Sequence, residues 1–171
     1  MRVLLRGLIV AIALCGCSNY QTKISAPRNS LKSGHIDQAL TQFKILAEKP
    51  SDDRLIYLLD YATALQVAGQ YQLSNQVYLA ADQLADLQNY YSASRIAMAT
   101  LGGEEMTQYK GESYEIVLIN AMLAMNFIAL NDFDSAMVEA RRLIEKVNRI
   151  RLEGRENYEQ NPLAHYLIGL L

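Results

Sequence analysis

Cys15 and Cys17 are the strongest nucleophiles in the sequence, and both fall within the first 17 of its 171 residues. A Cys-x-Cys pair can clip a metal, close a disulfide or offer one sulfur for covalent modification, and the flanking sequence decides among these. Here Arg2 and Arg6 make a short basic start and an apolar run follows from Gly7 to Leu14, which is the layout of a secretory signal peptide. The run is too short for a bilayer crossing, which takes about 20 apolar residues. An uncleaved anchor or a Cys-x-Cys metal clip is the competing reading. The other reactive candidates are sparse. His35 and His165 are the two histidines, far apart and without cysteine partners, so no metal site is expected. Glu104-Glu105 after Gly102-Gly103 suggests paired carboxylates for sugar hydrolysis, but adjacent residues rarely converge on one bond, and a solvated loop is expected instead. The sequence has no glycine-rich phosphate loop, Gly-x-Ser-x-Gly elbow or His-Glu-x-x-His, so neither catalysis nor a cofactor is expected.

The segment from Arg141 to Arg155 holds six basic residues against Glu145 and Glu153. In a helix, Arg141 to Glu145, Glu145 to Arg149 and Arg149 to Glu153 are four apart and can pair, each worth about 0.2–0.5 kcal/mol. Arg142 and Lys146 are left over as a candidate basic patch for an acidic partner, against the plainer expectation of a solvated face.

A leucine three residues before Cys17 and a glycine just before it, Leu14-Cys15-Gly16-Cys17, resemble the lipobox of bacterial lipoproteins. That resemblance implies cleavage after Gly16, a lipid-bearing (palmitate-type acylated) Cys17 as first mature residue, and loss of Cys15 with the leader. Modification at Cys15 would put bulky Leu14 at the cut, where the motif takes a small residue. Ser18, being other than aspartate, implies sorting to the outer membrane, on its periplasmic face. Several acyl chains hold a protein stably where one does not, so the membrane is the first expected partner. Losing Arg2 and Arg6 takes the basic residues from 16 to 14 against 18 acidic ones, and this mild acidity argues against nucleic-acid binding.

The elements that must position any site follow. Residues 17–32 are polar with Pro27 and read as a lipidated cysteine and flexible tether, whose relaxed coil reaches roughly 20 Å. Residues 33–171 repeat: Gly34-x-Ile36-x2-Ala39-x3-Phe43-x2-Leu46 recurs as Gly69-x-Tyr71-x2-Ser74-x3-Tyr78-x2-Ala81 and as Asn131-x-Phe133-x2-Ala136-x3-Ala140-x2-Leu143. Ahead of the second and third copies stand Leu58-x2-Tyr61-Ala62-x2-Leu65 and Asn120-x2-Leu123-Ala124-x2-Phe127. Steps of three and four place these residues on one helical face. The pattern predicts helix hairpins in which Gly69 or Asn131 takes the left-handed position that ends the first helix, while Ala39, Ala62, Ser74, Ala124 and Ala136 let helices approach closely.

This alternation of small and large residues across a helix-turn-helix resembles the tetratricopeptide (TPR) repeat. The resemblance implies an all-α, right-handed array of antiparallel hairpins, a TPR-like α-solenoid, with an irregular insertion at 89–112, which includes the helix-compatible stretch Tyr91 to Leu101 and the turn Gly102-Gly103, and an incomplete last repeat beginning at Pro162. The spacing of 35 between Gly34 and Gly69 suits that family, whereas 62 between Gly69 and Asn131 leaves room for the insertion. The chain has no tryptophan, the first copy lacks an evident first helix, and Ala140 stands where an aromatic is expected. A narrower likeness, Tyr109-x-Gly111-Glu112-x-Tyr114-Glu115, then Asn126, then Ala136-x-Val138-Glu139-Ala140-Arg141-Arg142, is to a family of envelope lipoproteins with TPR-like repeats. Members of that family are longer, so the resemblance implies an N-terminal portion.

Such arrays expose the first helix of each repeat on a concave face. By register the candidate groove comprises Ile56, Leu59, Thr63, Gln66, Leu118, Ala121, Met125 and Ile128, with packing against neighbouring helices or the insertion as the equal alternative. The expectation is a lipid-anchored periplasmic scaffold or adaptor with a protein partner in envelope assembly. An envelope enzyme or binder acting on peptidoglycan or polysaccharide is the alternative.

Overall fold

Three tight turns, closed by the same hydrogen bonds, set the architecture. At each, the residue in the left-handed region is the one the repeats align: Gly34 at φ 79°, Gly69 at φ 73° and Asn131 at φ 58°. The amide after it reaches back five residues, His35 N–H to Ser30 O, Gln70 N–H to Leu65 O and Asp132 N–H to Phe127 O, each at 2.9 Å. Gly34, Gly69 and Asn131 in turn donate to Leu31, Gln66 and Ile128. This pair of bonds is the Schellman motif, which satisfies the last carbonyls of a helix and reverses the chain. Nothing lies within 4 Å of where a Cβ would stand on Gly69, so its backbone dihedral is the whole constraint. Gly69→Asn should therefore leave the urea midpoint nearly unchanged, as Asn131 shows in the equivalent turn, while Gly69→Ala should cost about 1 kcal/mol. Equal losses for the two variants would defeat that explanation.

The computed structural model describes residues 20–98, 109–152 and 162–170. Within them seven helices follow one another, α1 (Tyr20–Lys32), α2 (Ile36–Glu48), α3 (Arg54–Val67), α4 (Tyr71–Met98), α5 (Ser113–Ala129), α6 (Phe133–Leu152) and α7 (Pro162–Leu170), and no strand occurs among the described residues. Each helix packs on the next, and α5 also touches α7. The small residues sit where the repeats place them: Ala39, Ala62, Ser74, Ala124 and Ala136 are fully buried. Ser74 goes further, its Oγ donating to the carbonyl of Ala62 across the α3–α4 contact at 2.8 Å.

Two expectations are corrected. The segment taken as a tether is helical from Tyr20 onward. It supplies the first helix missing from the first repeat, so the packed array begins at α1 and not at residue 33. Tyr20, Ile24, Pro27 and Leu31, at steps of four, three and four, are all buried or half-buried against the array. Proline has no N–H for the bond to the carbonyl four residues back and normally breaks a helix. Here the burial of the apolar stripe offsets that loss, at about 1.5–3 kcal/mol per large side chain. The second correction concerns the insertion. Its helix-compatible stretch from Tyr91 is helical as far as Met98, but as the continuation of α4 and not as part of an irregular insertion.

The core divides in two at α5. Ile116, Ile119 and Leu123 join the cluster built from α1–α4, with Ile24, Phe43, Leu55, Tyr57 and Leu65. Val117, Ala121 and Ala124 join a second cluster with Ala140, Leu143, Val147, Ile150 and Leu167. A helix wedged between two cores must be apolar on both sides, which is why α5 is the most continuously apolar of the long helices in the sequence.

Candidate functional site

Cys17, the leader 1–16 and Glu104-Glu105 lie outside the described residues. His35 and His165 are both exposed; His35 Nδ1 lies 3.0 Å from Ser33 Oγ in the first turn, and His165 is at the far end of the array on α7. Among the described residues no group of three or more His, Cys, Asp or Glu could hold a metal ion, and no helix is long and apolar enough to cross a membrane.

The two residues of the expected basic patch part company, Lys146 meeting a carboxylate of α4 and Arg142, half-exposed, one of its own helix. Lys146 is buried and paired with Asp82, and Arg142 Nη1 holds Glu139 Oε1 at 3.2 Å. Arg149 reaches across to Asp86 at 3.9 Å. Residues 82 and 86 are one helical turn apart, as 146 and 149 nearly are, and α4 lies alongside α6 at that height. The pairs border a cleft of about 470 Å³ lined by Asp82, Asp86, Arg142, Glu145, Lys146 and Arg149. Three carboxylates face three cations there, so the wall is electrically balanced and offers neither sign of ligand a net attraction. Glu139, 5% exposed, is further held by Asn120 Nδ2 at 2.6 Å.

The groove positions divide by burial. Ala121 is fully buried in the second core and lines no groove. Ile56 and Leu59 pack on the first core, Leu118 and Ile128 on the second. Thr63 Oγ1 lies 2.9 Å from Tyr78 OH and donates to the carbonyl of Leu59. Gln66 Nε2 reaches the carbonyl of Met122 at 3.4 Å, joining α3 to α5. The open part of this face is Thr63 and Met125, together with Val67, which is 65% exposed and was not among the candidates. Val67 stands three and four residues after Ala64 and Thr63, at the edge of the apolar stripe; the stripe's width hid it.

The segment 109–115 and Asn126 are engaged in structural bonds. Tyr109 N–H donates to Asp52 O at 3.0 Å, and its hydroxyl donates to Glu115. Glu115 Oε2 also accepts the Glu112 N–H at 2.9 Å, closing the first turn of α5. Gly111 takes φ 79° with Leu55 and Ile116 pressed against it. Asn126 donates to both Ser74 Oγ at 2.8 Å and Asn75 Oδ1 at 2.9 Å, so one buried amide ties α5 to α4, and Ser74 ties α4 to α3.

No family model, curated protein or solved structure matches this chain.

One titratable pair stands out between α1 and α3. Tyr20 OH donates to Asp60 Oδ2 at 2.7 Å, and burial pushes the Asp60 carboxyl above its ordinary value of 3.8 despite the opposing effects of Tyr20 and Arg28. A raised carboxyl is protonated more readily in the folded chain than in the unfolded one. Its contribution to stability is therefore largest below pH 3.8 and declines as pH rises through the folded value. Asp60→Asn keeps an acceptor for Tyr20 and removes that decline, so its stability should fall less from acid to neutral pH than the parent's. Parallel curves for the two proteins in urea titrations would exclude the linkage.

Proposed function

We propose that this chain is a lipid-anchored scaffold of a bacterial cell envelope. A signal peptide of residues 1–16 is removed, lipid is attached at Cys17, and a right-handed, TPR-like array is held on the periplasmic face of the outer membrane to bind a protein partner. The observation that carries the binding role is the repetition of one hairpin turn at one register, with Thr63, Val67 and Met125 left open on the first helices of successive hairpins. Arrays of this build bind extended chains or helices along that surface, and methionine suits an adaptable contact. The charged side chains most eligible for chemistry, Glu139, Lys146, Asp82 and Glu115, are engaged in bonds that hold helices together.

Val67→Asp with Met125→Asp tests the surface, because both side chains are exposed and the change should leave the fold intact. Crosslinking from membranes should recover the partner with the parent and lose at least tenfold of it with the double variant, at an unchanged thermal melt. Undiminished recovery would exclude this face. Intact-mass measurement of the membrane-extracted protein tests the anchor, since an unlipidated Met1 terminus is incompatible with it.

A further inference from the structure

The helical assignment of α1 changes what an anchor at Cys17 does. Cys17 is three residues from Tyr20, at most about 11 Å of fully extended chain, and α1 is fastened to the array along its length. Tyr20 bonds Asp60 and lies against Tyr57 with ring centroids 5.9 Å apart, Lys23 pairs with Asp53 at 3.8 Å, and Ile24 and Pro27 are buried. The reach between anchor and array is therefore bounded by those three residues. The hairpins also sort their connections: the turns at Gly34, Gly69 and Asn131 share one end of the array, and the start of α1 shares the other with the α2–α3 connection and the start of α5. Tyr109 bonding Asp52, and Gly111 pressing on Leu55, join these elements at that second end.

The two ends differ in what they expose. At the α1 end stand exposed Lys49, Arg54 and Arg151, with Leu152 84% exposed. Of the acids there among the described residues, Glu48 and Asp53 are answered by Lys44 and Lys23, and Asp52 and Glu112 remain exposed. At the turn end stand exposed Asp37, Asp132 and Asp134, with Lys32 against them. Exposed basic side chains and an exposed leucine at one end suit an anionic headgroup layer, whereas exposed aspartates are repelled from it.

We propose that the α1 end is a bilayer-contacting surface, with Lys49, Arg54, Arg151 and Leu152 against anionic headgroups and the Gly34, Gly69 and Asn131 turns pointing away. This rests on the reading of Cys17 as lipidated. The partner-binding face then stands upright beside the membrane, its height fixed by helix length: the 17 residues of α5 span about 25 Å.

The test uses the lipidated protein in vesicles of phosphatidylethanolamine and phosphatidylglycerol containing brominated lipid. Leu152→Cys and Gln70→Cys, one at each end, each carry a fluorophore, and intact mass is measured first on both. With lipid on Cys17, the label at 152 should be quenched severalfold more than the label at 70. The triple change Lys49→Glu, Arg54→Glu and Arg151→Glu should keep the lipid and abolish most of that difference. Equal or reversed quenching on a lipidated protein overturns the orientation while leaving the anchor standing. An unlipidated Met1 terminus overturns the anchor and the orientation with it.

Discussion

Replacing Lys146 with Met should destabilise the protein by about 3–5 kcal/mol, the range for removing one partner of a buried ion pair. The side chains of Lys146 and Asp82 are only 9% and 13% exposed, so water screens the pair little. Without the lysine, the Asp82 carboxylate stays between α4 and α6 with no countercharge. It must then be hydrated from the cleft it lines or carried at a cost. The loss is of a partner and not of an attraction, so Asp82→Leu in the Lys146→Met background should recover most of it, because two apolar side chains of similar size bring no stranded charge. Urea midpoints for the parent, both single variants and the double close the cycle. A single-variant loss below about 1 kcal/mol would mean that the pair behaves like an exposed one.

Gly111→Ala should cost about 2–5 kcal/mol, well beyond the same change at Gly69. Two separate penalties act at this position. The left-handed backbone at φ 79° costs an ordinary residue about 1–2 kcal/mol. A Cβ there would also stand 3.1 Å from Leu55 Cδ2 and 3.3 Å from Ile116 Cγ1, and overpacking of that kind costs about 1–3 kcal/mol. Leu55 is fully buried, so it has little room to yield. Gly111→Asn separates the penalties: asparagine tolerates the left-handed region but still brings the Cβ. Its loss should fall below that of Gly111→Ala by the backbone part and retain the crowding part, about 1–3 kcal/mol, whereas at Gly69 asparagine should be nearly neutral. If asparagine rescues Gly111 fully, crowding against Leu55 plays no part.

Gly111 also illustrates where sequence reading stops. Its place in Tyr109-x-Gly111-Glu112-x-Tyr114-Glu115 marks it as distinctive, and Glu112 and Glu115 near a helix start suit its positive dipole end. That the glycine is needed because Leu55 presses on it from 56 positions earlier is a long-range fact that no local pattern carries. The same holds for α1. Its four apolar positions 20, 24, 27 and 31 give no sustained period, Pro27 and the polar residues between argue locally for an extended tether, and only burial against the rest of the array reverses the balance.

The sequence by itself determined the hairpins, because turn chemistry and helical period are local. A residue able to take positive φ at 34, 69 and 131, small residues at fixed offsets and apolar steps of three and four require no knowledge of the neighbours. Tertiary structure alone decided which charges are free and which apolar positions are open. Lys146 looks unpaired along its own helix and acquires Asp82 only when α4 meets α6, whereas the Arg142–Glu139 pair is local, three residues apart on α6. Ala121 belongs to a groove by register and to a sealed core by packing, since α5 is pressed from two sides. Electrostatic pairing and burial both depend on what lies across a contact, and that is set by how hairpins stack.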